Sequence, residues 1–440
     1  MSGERVLVGE HFVGHDHVGI VVDGIEHVQQ CPGFALGFGG ERAHDVEQVV
    51  ASTRLRSQPD VEHDHRRTVR GGSQRQPVDA SVGTLGRVRA AIANSGKLRV
   101  ADVDDPIPGP GDALVRVRAC GICGSDLHAL VHGDAMVEQS LATGLPSTFD
   151  PRRDYIMGHE YSAEVLELGP ETDGAPVRPG DLVTSLPVVL TPTGVETTAY
   201  SNVYNGGYAD LMRLSAALCI KVPNGLDHRR AALTEPMAVG RHAVGKANLQ
   251  PGDTAVVLGC GPVGLATIVD LRRRGIDTIV AADFSARRRA TATAMGATEV
   301  VDPSTEPAIH AWRRVTGGTK PLVTFEAIGV PGLLDQAIGA APAQSRIVIV
   351  GVCMEADRVH PFVAIAKELN LQFVLAYDPL EFVGALQSIA EGEIDVTPMI
   401  TGRCGIDGVP DAFRALGRPD DHVKLLVEPG GPDRVEPLTL

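Results

Sequence analysis

The chain has 440 residues, of which 43% are hydrophobic, and this length suits about two or three domains with large cores. Its formal net charge of -15 argues against nucleic acid as a partner and against attraction to an anionic membrane, and no apolar run approaches the roughly 20 residues that span a bilayer. Seven cysteines, an odd number, do not indicate a disulfide framework, and the first residues lack the order of a secretory signal, so we expect a cytoplasmic location.

Residues 1–87 differ in composition from the rest of the chain. They contain nearly half of the 15 histidines and no lysine, without sustained helix or strand periodicity. We expect them to be disordered or a non-native extension, with the native start at Val88, because valine can be encoded by an alternative start codon. A His-rich metal-binding extension is the alternative, although these histidines lack a zinc-ligand spacing.

Strand patterns dominate residues 88–235. A hairpin is predicted over 88–100, with its turn at residues 94–96, and strands are predicted over 113–119, 161–168 and 181–184.

Strand and helix patterns alternate from residue 236. Strands are predicted at 254–258, 278–282, 299–301, 322–325 and 346–350, and helices at 263–274 and 285–295. This alternation predicts a parallel, doubly wound sheet, followed by a helix over 379–390 and a last strand over 423–427.

A Gly-rich turn lies between the first strand and the first helix of this alternation. Gly259 allows a tight turn, Gly261 lets the backbone approach a pyrophosphate, and Gly264 lets helix and strand pack closely. Pro262 and Val263 open the helix, whose N-terminus favours phosphate.

A carboxylate follows about 20 residues later, as a dinucleotide-binding turn requires. Asp283 ends the second strand, where it can accept hydrogen bonds from a ribose diol and repel a 2′-phosphate. It therefore favours NAD over NADP, whereas the arginines that follow, among them Arg288 as a cofactor-binding candidate, oppose that preference.

Potential zinc ligands occur in two short motifs, Cys120-Gly-Ile-Cys123-Gly-Ser-Asp-Leu-His128 and Gly158-His159-Glu160. Thiolate, imidazole and carboxylate are the ligands of catalytic zinc. Cys123 lies in a loop, whereas Cys120 ends a strand and is better explained as a core residue. Taken singly, His159 could be a structural histidine and Glu160 an ion-pair partner.

The order of these motifs resembles the zinc-dependent medium-chain alcohol/polyol dehydrogenases over residues 88–429. Further matches are Gly206-Gly-Tyr-Ala-Asp210, Glu235-Pro236 and His422-Val-Lys424. The resemblance implies an α/β protein in which a GroES-like β-barrel catalytic domain (88–235 and 377–440) flanks a Rossmann NAD-binding domain (236–376). It also implies one catalytic zinc on Cys123, His159 and Glu160, with Glu235 as an occasional ligand.

The same resemblance implies roles for three neighbours of the ligand cysteine. Ser125 would accept the proton of a bound alcohol, and His128 would pass it to solvent, since an unperturbed histidine titrates near neutrality. Asp126 would fix the orientation of His159 through a hydrogen bond.

Two departures from the family pattern stand out. Residues 186–205 contain no cysteine, so we expect the family's second, structural zinc to be absent and something else to hold this lobe. Residues 132–155 are longer than usual and read as an inserted loop or helix near the active site, so the substrate is not predicted.

The sequence thus predicts a zinc-dependent oxidoreductase that transfers a hydride between an alcohol or polyol, or its carbonyl product, and NAD(H). The alternatives are a zinc-free quinone or alkene reductase on the same fold, and a non-catalytic dinucleotide-binding protein. The predicted partners are a small-molecule substrate and a second copy of the chain, as a homodimer or homotetramer joined at an edge strand over 371–376.

Overall fold

A computed structural model describes residues 87–144 and 149–438, so the predictions made for residues 1–86 lie outside the described residues. The strands are β1 (Val88–Asn94), β2 (Lys97–Val103), β3 (Asp112–Gly121), β4 (Tyr155–Ile156), β5 (Glu160–Leu168), β6 (Leu182–Ser185), β7 (Val188–Thr191), β8 (Gly194–Thr197), β9 (Leu211–Ser215), β10 (Cys219–Lys221), β11 (Thr254–Leu258), β12 (Ile279–Ala282), β13 (Glu299–Val301), β14 (Leu322–Glu326), β15 (Arg346–Ile349), β16 (Asn370–Phe373), β17 (Ile400–Cys404), β18 (Lys424–Val427) and β19 (Glu436–Pro437). The helices are α1 (Gly124–Ala142), α2 (His228–Ala232), α3 (Thr234–Lys246), α4 (Pro262–Arg273), α5 (Ala286–Ala294), α6 (Ala308–Thr316), α7 (Leu333–Ala340), α8 (Pro361–Ala366), α9 (Pro379–Ala390) and α10 (Val409–Leu416).

The predicted hairpin is confirmed. β1 and β2 pair antiparallel from Val88 opposite Val103 to Asn94 opposite Lys97. Ser95 and Gly96 both have positive φ, 46° and 75°, which is the backbone of a two-residue hairpin turn that follows the strand twist.

A second sheet joins the two ends of the described chain. Its order is β10-β6-β5-β3-β18-β17-β19, with β9 also paired to β3. β18 pairs antiparallel with the end of β3, with Leu426 opposite Gly121 and Val427 opposite Cys120. This pairing brings Lys424, the first residue of β18, to the same end of the sheet as the start of α1.

The 186–205 lobe carries an antiparallel hairpin of β7 and β8. Val189 of this hairpin is completely buried, and Leu190 N–H donates to Ser215 Oγ at 2.8 Å. Asn202 ties the lobe to the residues before β4, because its Nδ2 donates to the carbonyls of Asp150 and Asp154 at 3.0 and 3.1 Å. Apolar burial and side-chain hydrogen bonds thus hold a lobe that has no cysteine.

The third large sheet is the predicted doubly wound one. Its six strands run in the order β13-β12-β11-β14-β15-β16, and every pair is parallel. A Cβ placed on Gly264 would lie 1.9 Å from Gly259 O, so only glycine allows α4 to pack this closely against the turn. The strand predicted over 371–376 is β16, which begins one residue earlier and ends three residues earlier than predicted and lies at the edge of the sheet.

The predicted insertion begins as a continuation of α1. This helix bends at His132, where φ is −119° and ψ is 27°, and then runs on to Ala142. Gln139 in this second half donates to Met354 O at 2.8 Å, beyond the end of β15. Within 87–144 and 149–438, no helix has both the length and the apolar character that a membrane crossing needs.

Candidate metal and dinucleotide site

Cys123 lies between β3 and α1, at the residue that caps the helix. Its backbone is extended, with φ −94° and ψ 154°, and its N–H donates to Asp126 Oδ2 at 3.0 Å. The cysteine is therefore fixed by a carboxylate three residues later. Cys120 is instead fully buried in β3, and burial raises the pKa of its thiol well above the usual value, as in an inert core cysteine.

Three potential ligands converge at this point. One donor atom each of Cys123, His159 and Glu160 lie within 4.8 Å of one another. Gly158 has a φ of 102°, and a Cβ there would lie 2.7 Å from the Tyr208 ring, so glycine is required where the chain turns into β5. A thiolate, an imidazole and a carboxylate are a donor set that fits catalytic zinc.

The surroundings of His159 favour a cation. Its Nδ1 is buried without a hydrogen-bond partner, and Asp126 Oδ1 lies 3.4 Å away. Burial alone lowers the pKa of His159, but the charges of Asp126 and Cys123 raise it well above the usual value. The negative groups that stabilise an imidazolium here would equally stabilise a metal ion.

Asp126 is completely buried and is held by two tyrosines. Tyr208 Oη donates to its Oδ2 at 2.7 Å, and Tyr200 Oη lies 3.0 Å from its Oδ1. Burial raises the pKa of Asp126, but the charge of His159 and the hydrogen bonds outweigh burial and leave it below the usual value. Asp126 is therefore an ionised group fixed between Cys123, His159 and the two tyrosines.

Ser125 lies beside the ligands, whereas His128 lies one turn further along α1. Ser125 Oγ is 3.5 Å from His159 Nε2 and 2.9 Å from Tyr200 Oη. His128 is half-buried, and its ring centroid is 6.4 Å from that of the exposed His132. Burial, together with the charge of His132, lowers the pKa of His128.

Glu160 has a partner that the sequence did not predict. Lys424 Nζ donates to both carboxylate oxygens of Glu160 at 2.7 Å and to Ile122 O at 3.0 Å, and both side chains are completely buried. A Cβ on Gly121 would lie 2.0 Å from Glu160 Oε2, so glycine makes room for the carboxylate. Lys424 of the His422-Val-Lys424 motif thus supplies the buried counter-charge of Glu160.

Glu235 lies in the first turn of α3, outside the group of three potential ligands. Burial raises the pKa of Glu235, while the charges of His159 and Lys424 oppose that rise.

The Gly-rich turn has the geometry that its sequence predicted. Gly259 has a φ of 92°, Gly261 is the cap of α4, and Pro262 is its first residue, followed by Val263. Asp283 follows β12 and accepts hydrogen bonds from the N–H groups of Cys260 and Ser285, both at 2.8 Å. Each carboxylate oxygen therefore carries one backbone hydrogen bond and keeps lone-pair capacity for a further donor.

Only one of the three arginines after Asp283 is directed at this turn. Arg287 donates to Asp420 O at 2.9 Å, and Arg289 bonds to Asp302 and to main-chain carbonyls. Arg288 Nη1 lies 4.0 Å from Asp283 Oδ2, and its Nε is buried without a hydrogen-bond partner. Arg288 is thus the arginine with a donor available beside the turn.

A second group with metal-ligating atoms consists of His242, Asp378 and Glu381. Its members already bond one another or nearby backbone, because Glu381 bonds His242 at 2.7 Å and accepts from Asp378 N–H at 2.8 Å. This group is explained by the capping of α9 and its packing on α3.

Comparison with known protein families gives two matches. Residues 109–224 match the alcohol dehydrogenase GroES-like domain, and residues 262–391 match the zinc-binding dehydrogenase domain. The (R,R)-butanediol dehydrogenase of Bacillus subtilis is 31% identical over 352 residues, which cover 76% of this chain and 98% of that relative. Human sorbitol dehydrogenase is 28% identical over 341 residues, covering 74% and 91%.

Solved structures give the same grouping. The crystal structure of 2R,3R-butanediol dehydrogenase from Bacillus subtilis has a TM-score of 0.67 at 30% identity, covering 78% of this chain and 99% of that one. A putative zinc-binding dehydrogenase from Sinorhizobium meliloti, bound to NADP, has a TM-score of 0.66 at 28% identity, covering 78% and 100%.

Proposed function

The chain belongs to the zinc-binding medium-chain dehydrogenases, and from that premise we propose that it oxidises a small diol or polyol with NAD at Cys123, His159 and Glu160. It is an alcohol or polyol oxidoreductase that uses zinc and NAD(P). We propose in addition the preference for NAD, the class of substrate and the residues of the site. The observation that carries it is the approach of the three donor atoms to within 4.8 Å.

We assign the metal to Cys123, His159 and Glu160, with Glu235 as an exchangeable fourth ligand. Zinc, when bound, would polarise a substrate oxygen and lower the pKa of its hydroxyl. Glu160 is also bonded to Lys424, so its carboxylate can share its charge between the lysine and the metal.

We assign the proton of the substrate hydroxyl to Ser125 and its release to His128. Ser125 Oγ lies beside His159 Nε2, and the half-buried His128 lies between this pocket and the exposed His132. Asp126 holds the cysteine loop through Cys123 N–H and supplies the negative charge next to His159. These residues orient the substrate and move its proton, while the dinucleotide takes the hydride.

We assign the dinucleotide to Gly259, Gly261, Pro262, Val263 and Gly264, with Asp283 and Arg288 at its ribose. The preference for NAD is supported by Asp283, whose carboxylate would repel a 2′-phosphate. Two of the three following arginines are bonded elsewhere, which leaves Arg288 for a ribose hydroxyl. The domain boundaries at 235/236 and 376/377 are part of the same proposal.

We also propose a homodimer or homotetramer in the cytoplasm. The edge strand β16 exposes Phe373 (64%), and α8 beside it exposes Phe362 (78%) and Ile365 (70%), so a second copy covering this edge would bury apolar surface. The cytoplasm is supported by the six cysteines that are free among residues 87–144 and 149–438. Light scattering that finds a monomer at micromolar concentration would contradict the oligomer.

The test of function is a screen of diols, polyols and simple alcohols with NAD and NADP, followed by dinucleotide reduction and combined with zinc analysis. We expect turnover with a diol or polyol, a preference for NAD and about one zinc per chain. Turnover of quinones or activated alkenes by zinc-free protein would instead support the zinc-free reductase.

A further inference from the structure

Tyr200 reaches the candidate site from the cysteine-free 186–205 lobe. Its hydroxyl lies 2.9 Å from Ser125 Oγ and 3.0 Å from Asp126 Oδ1. Its ring centroid lies 5.6 Å from that of His159 and 6.3 Å from that of Phe149. One side chain of the lobe thus contacts the serine and the carboxylate that flank the ligand pocket.

The position of Tyr200 is fixed by the residues around it. Asn202 bonds the main chain at Asp150 and Asp154, and the carbonyl of Tyr200 accepts a hydrogen bond from Thr197 Oγ1 at 3.2 Å. The lobe therefore holds the hydroxyl in place from both sides of the tyrosine, as precise positioning of a second group requires.

The hydrogen atoms of this network can be assigned from chemistry. An ionised carboxylate only accepts hydrogen bonds, and a tyrosine hydroxyl has one hydrogen to donate. Tyr200 Oη is the donor in both contacts, so its single hydrogen is shared between Asp126 Oδ1 and Ser125 Oγ, and both oxygens accept. The hydrogen of Ser125 itself is then left for a group other than Tyr200, with His159 Nε2 3.5 Å away.

This arrangement suits the passage of a proton through Ser125. A serine oxygen that is held by Tyr200 keeps its position while its own hydrogen stays available for transfer, whereas a freely rotating serine samples other orientations towards the substrate hydroxyl. Asp126 gains a fourth fixed contact, which limits its movement relative to His159.

We propose that Tyr200 is a positioning residue of the dehydrogenase reaction, which holds the hydroxyl oxygen of Ser125 through a hydrogen bond and fixes Asp126 beside the ligand His159. The inference rests on the proposed function of the same site. In this role, the hydroxyl of Tyr200 connects the 186–205 lobe to Ser125 and Asp126.

The test compares Tyr200→Phe with Tyr204→Phe in the full-length zinc-loaded protein. Tyr204 lies in the same lobe, its ring 5.0 Å from the guanidinium of Arg213, and among the described residues its hydroxyl bonds neither Ser125 nor Asp126. Tyr200→Phe should lower kcat about ten-fold and change KM less than about three-fold, as the loss of one oriented hydrogen bond implies. Tyr204→Phe should match the wild type.

A double-mutant cycle with Ser125→Ala separates positioning from lobe stability. If Tyr200 acts through Ser125, Tyr200→Phe should cause no further loss of kcat in the Ser125→Ala background. Para-aminophenylalanine at position 200 keeps a donor towards Asp126 and should recover part of the lost kcat. This variant also serves as the test if Tyr200→Phe fails to fold. An unchanged kcat in Tyr200→Phe, or losses that multiply in the double variant, would overturn the proposal.

A second readout does not need turnover. Because Tyr200 also fixes Asp126, Tyr200→Phe should release zinc to a chelator up to about ten-fold faster, and Tyr204→Phe should not. If the wild type binds zinc but oxidises no alcohol, the proposed function fails. The role of Tyr200 is tested separately, because equal rates of zinc release from Tyr200→Phe and Tyr204→Phe would overturn it. A wild type that binds no zinc overturns both.

Discussion

Lys424→Met tests whether the ligand pocket depends on a buried charge pair. Lys424 and Glu160 are both completely buried, and both carboxylate oxygens accept hydrogen bonds from Nζ at 2.7 Å. Removing the lysine leaves a buried carboxylate without its counter-charge, which costs about 3–5 kcal/mol of unfolding free energy. The loss should be smaller in zinc-loaded protein, because a bound cation would compensate the charge of Glu160.

The assay is urea unfolding of the wild type and Lys424→Met, each measured after chelation and after zinc loading. Lys221→Met is the matched control, because Lys221 is 62% exposed and pairs with Asp181 at the surface, so its loss should stay below about 1 kcal/mol. A loss below about 1 kcal/mol for chelated Lys424→Met, or an equal loss with and without zinc, would refute the reasoning.

Three further predictions follow from the site and its neighbours. Asp283→Ala should narrow the preference for NAD over NADP in kcat/KM, and a wild type that prefers NADP would contradict the role of the carboxylate. His128→Gln should keep zinc but slow turnover, more at low than at high pH, where hydroxide can take the proton directly; loss of zinc would mean that His128 is a ligand. Burial raises the pKa of Glu428, but His228, Arg229 and Arg403 outweigh it and lower this pKa to about 2, below the usual value of about 4.3. The ionised Glu428 therefore stabilises the fold fully at pH values above about 4.3, and this stabilisation is lost as pH falls through about 2. Glu428→Gln should lower the free energy of unfolding by about 1–3 kcal/mol at neutral pH and by little near pH 2, as measured by acid unfolding.

The sequence predicted the parts of the fold whose signals are local. β11 and α4 follow from a buried apolar run, a Gly-rich turn and helical periodicity, and the hairpin of β1 and β2 follows from Ser95-Gly96. The motifs at Cys123 and His159 could also be identified, because each is a short run of neighbouring residues. The strand, the helix and the hairpin are confirmed in the structure. Cys123 and His159 lie together there with Glu160, and their role as metal ligands stays a prediction.

The partners of these motifs could not be predicted from local signals. Lys424 and Glu160 are 264 positions apart in the sequence, and strand pairing brings them together. Tyr200 and Ser125 are 75 positions apart, and the sequence pattern of the 186–205 lobe does not indicate the direction of its side chains. A fully buried lysine is rare unless paired, so Lys424 inside the last apolar strand was a usable signal. Tyr200 carried no such signal, since a tyrosine in a polar segment is ordinary.

The central claim is tested most directly by zinc content and dinucleotide-linked alcohol oxidation in the wild type, Cys123→Ala and Cys120→Ala. Cys123 is in the group of three donors, whereas Cys120 is buried in β3 outside that group. We expect about one zinc per chain and turnover in the wild type and Cys120→Ala, and loss of both together in Cys123→Ala. Cys123→Ala that keeps zinc and activity, or Cys120→Ala that keeps its fold but loses zinc, would contradict it.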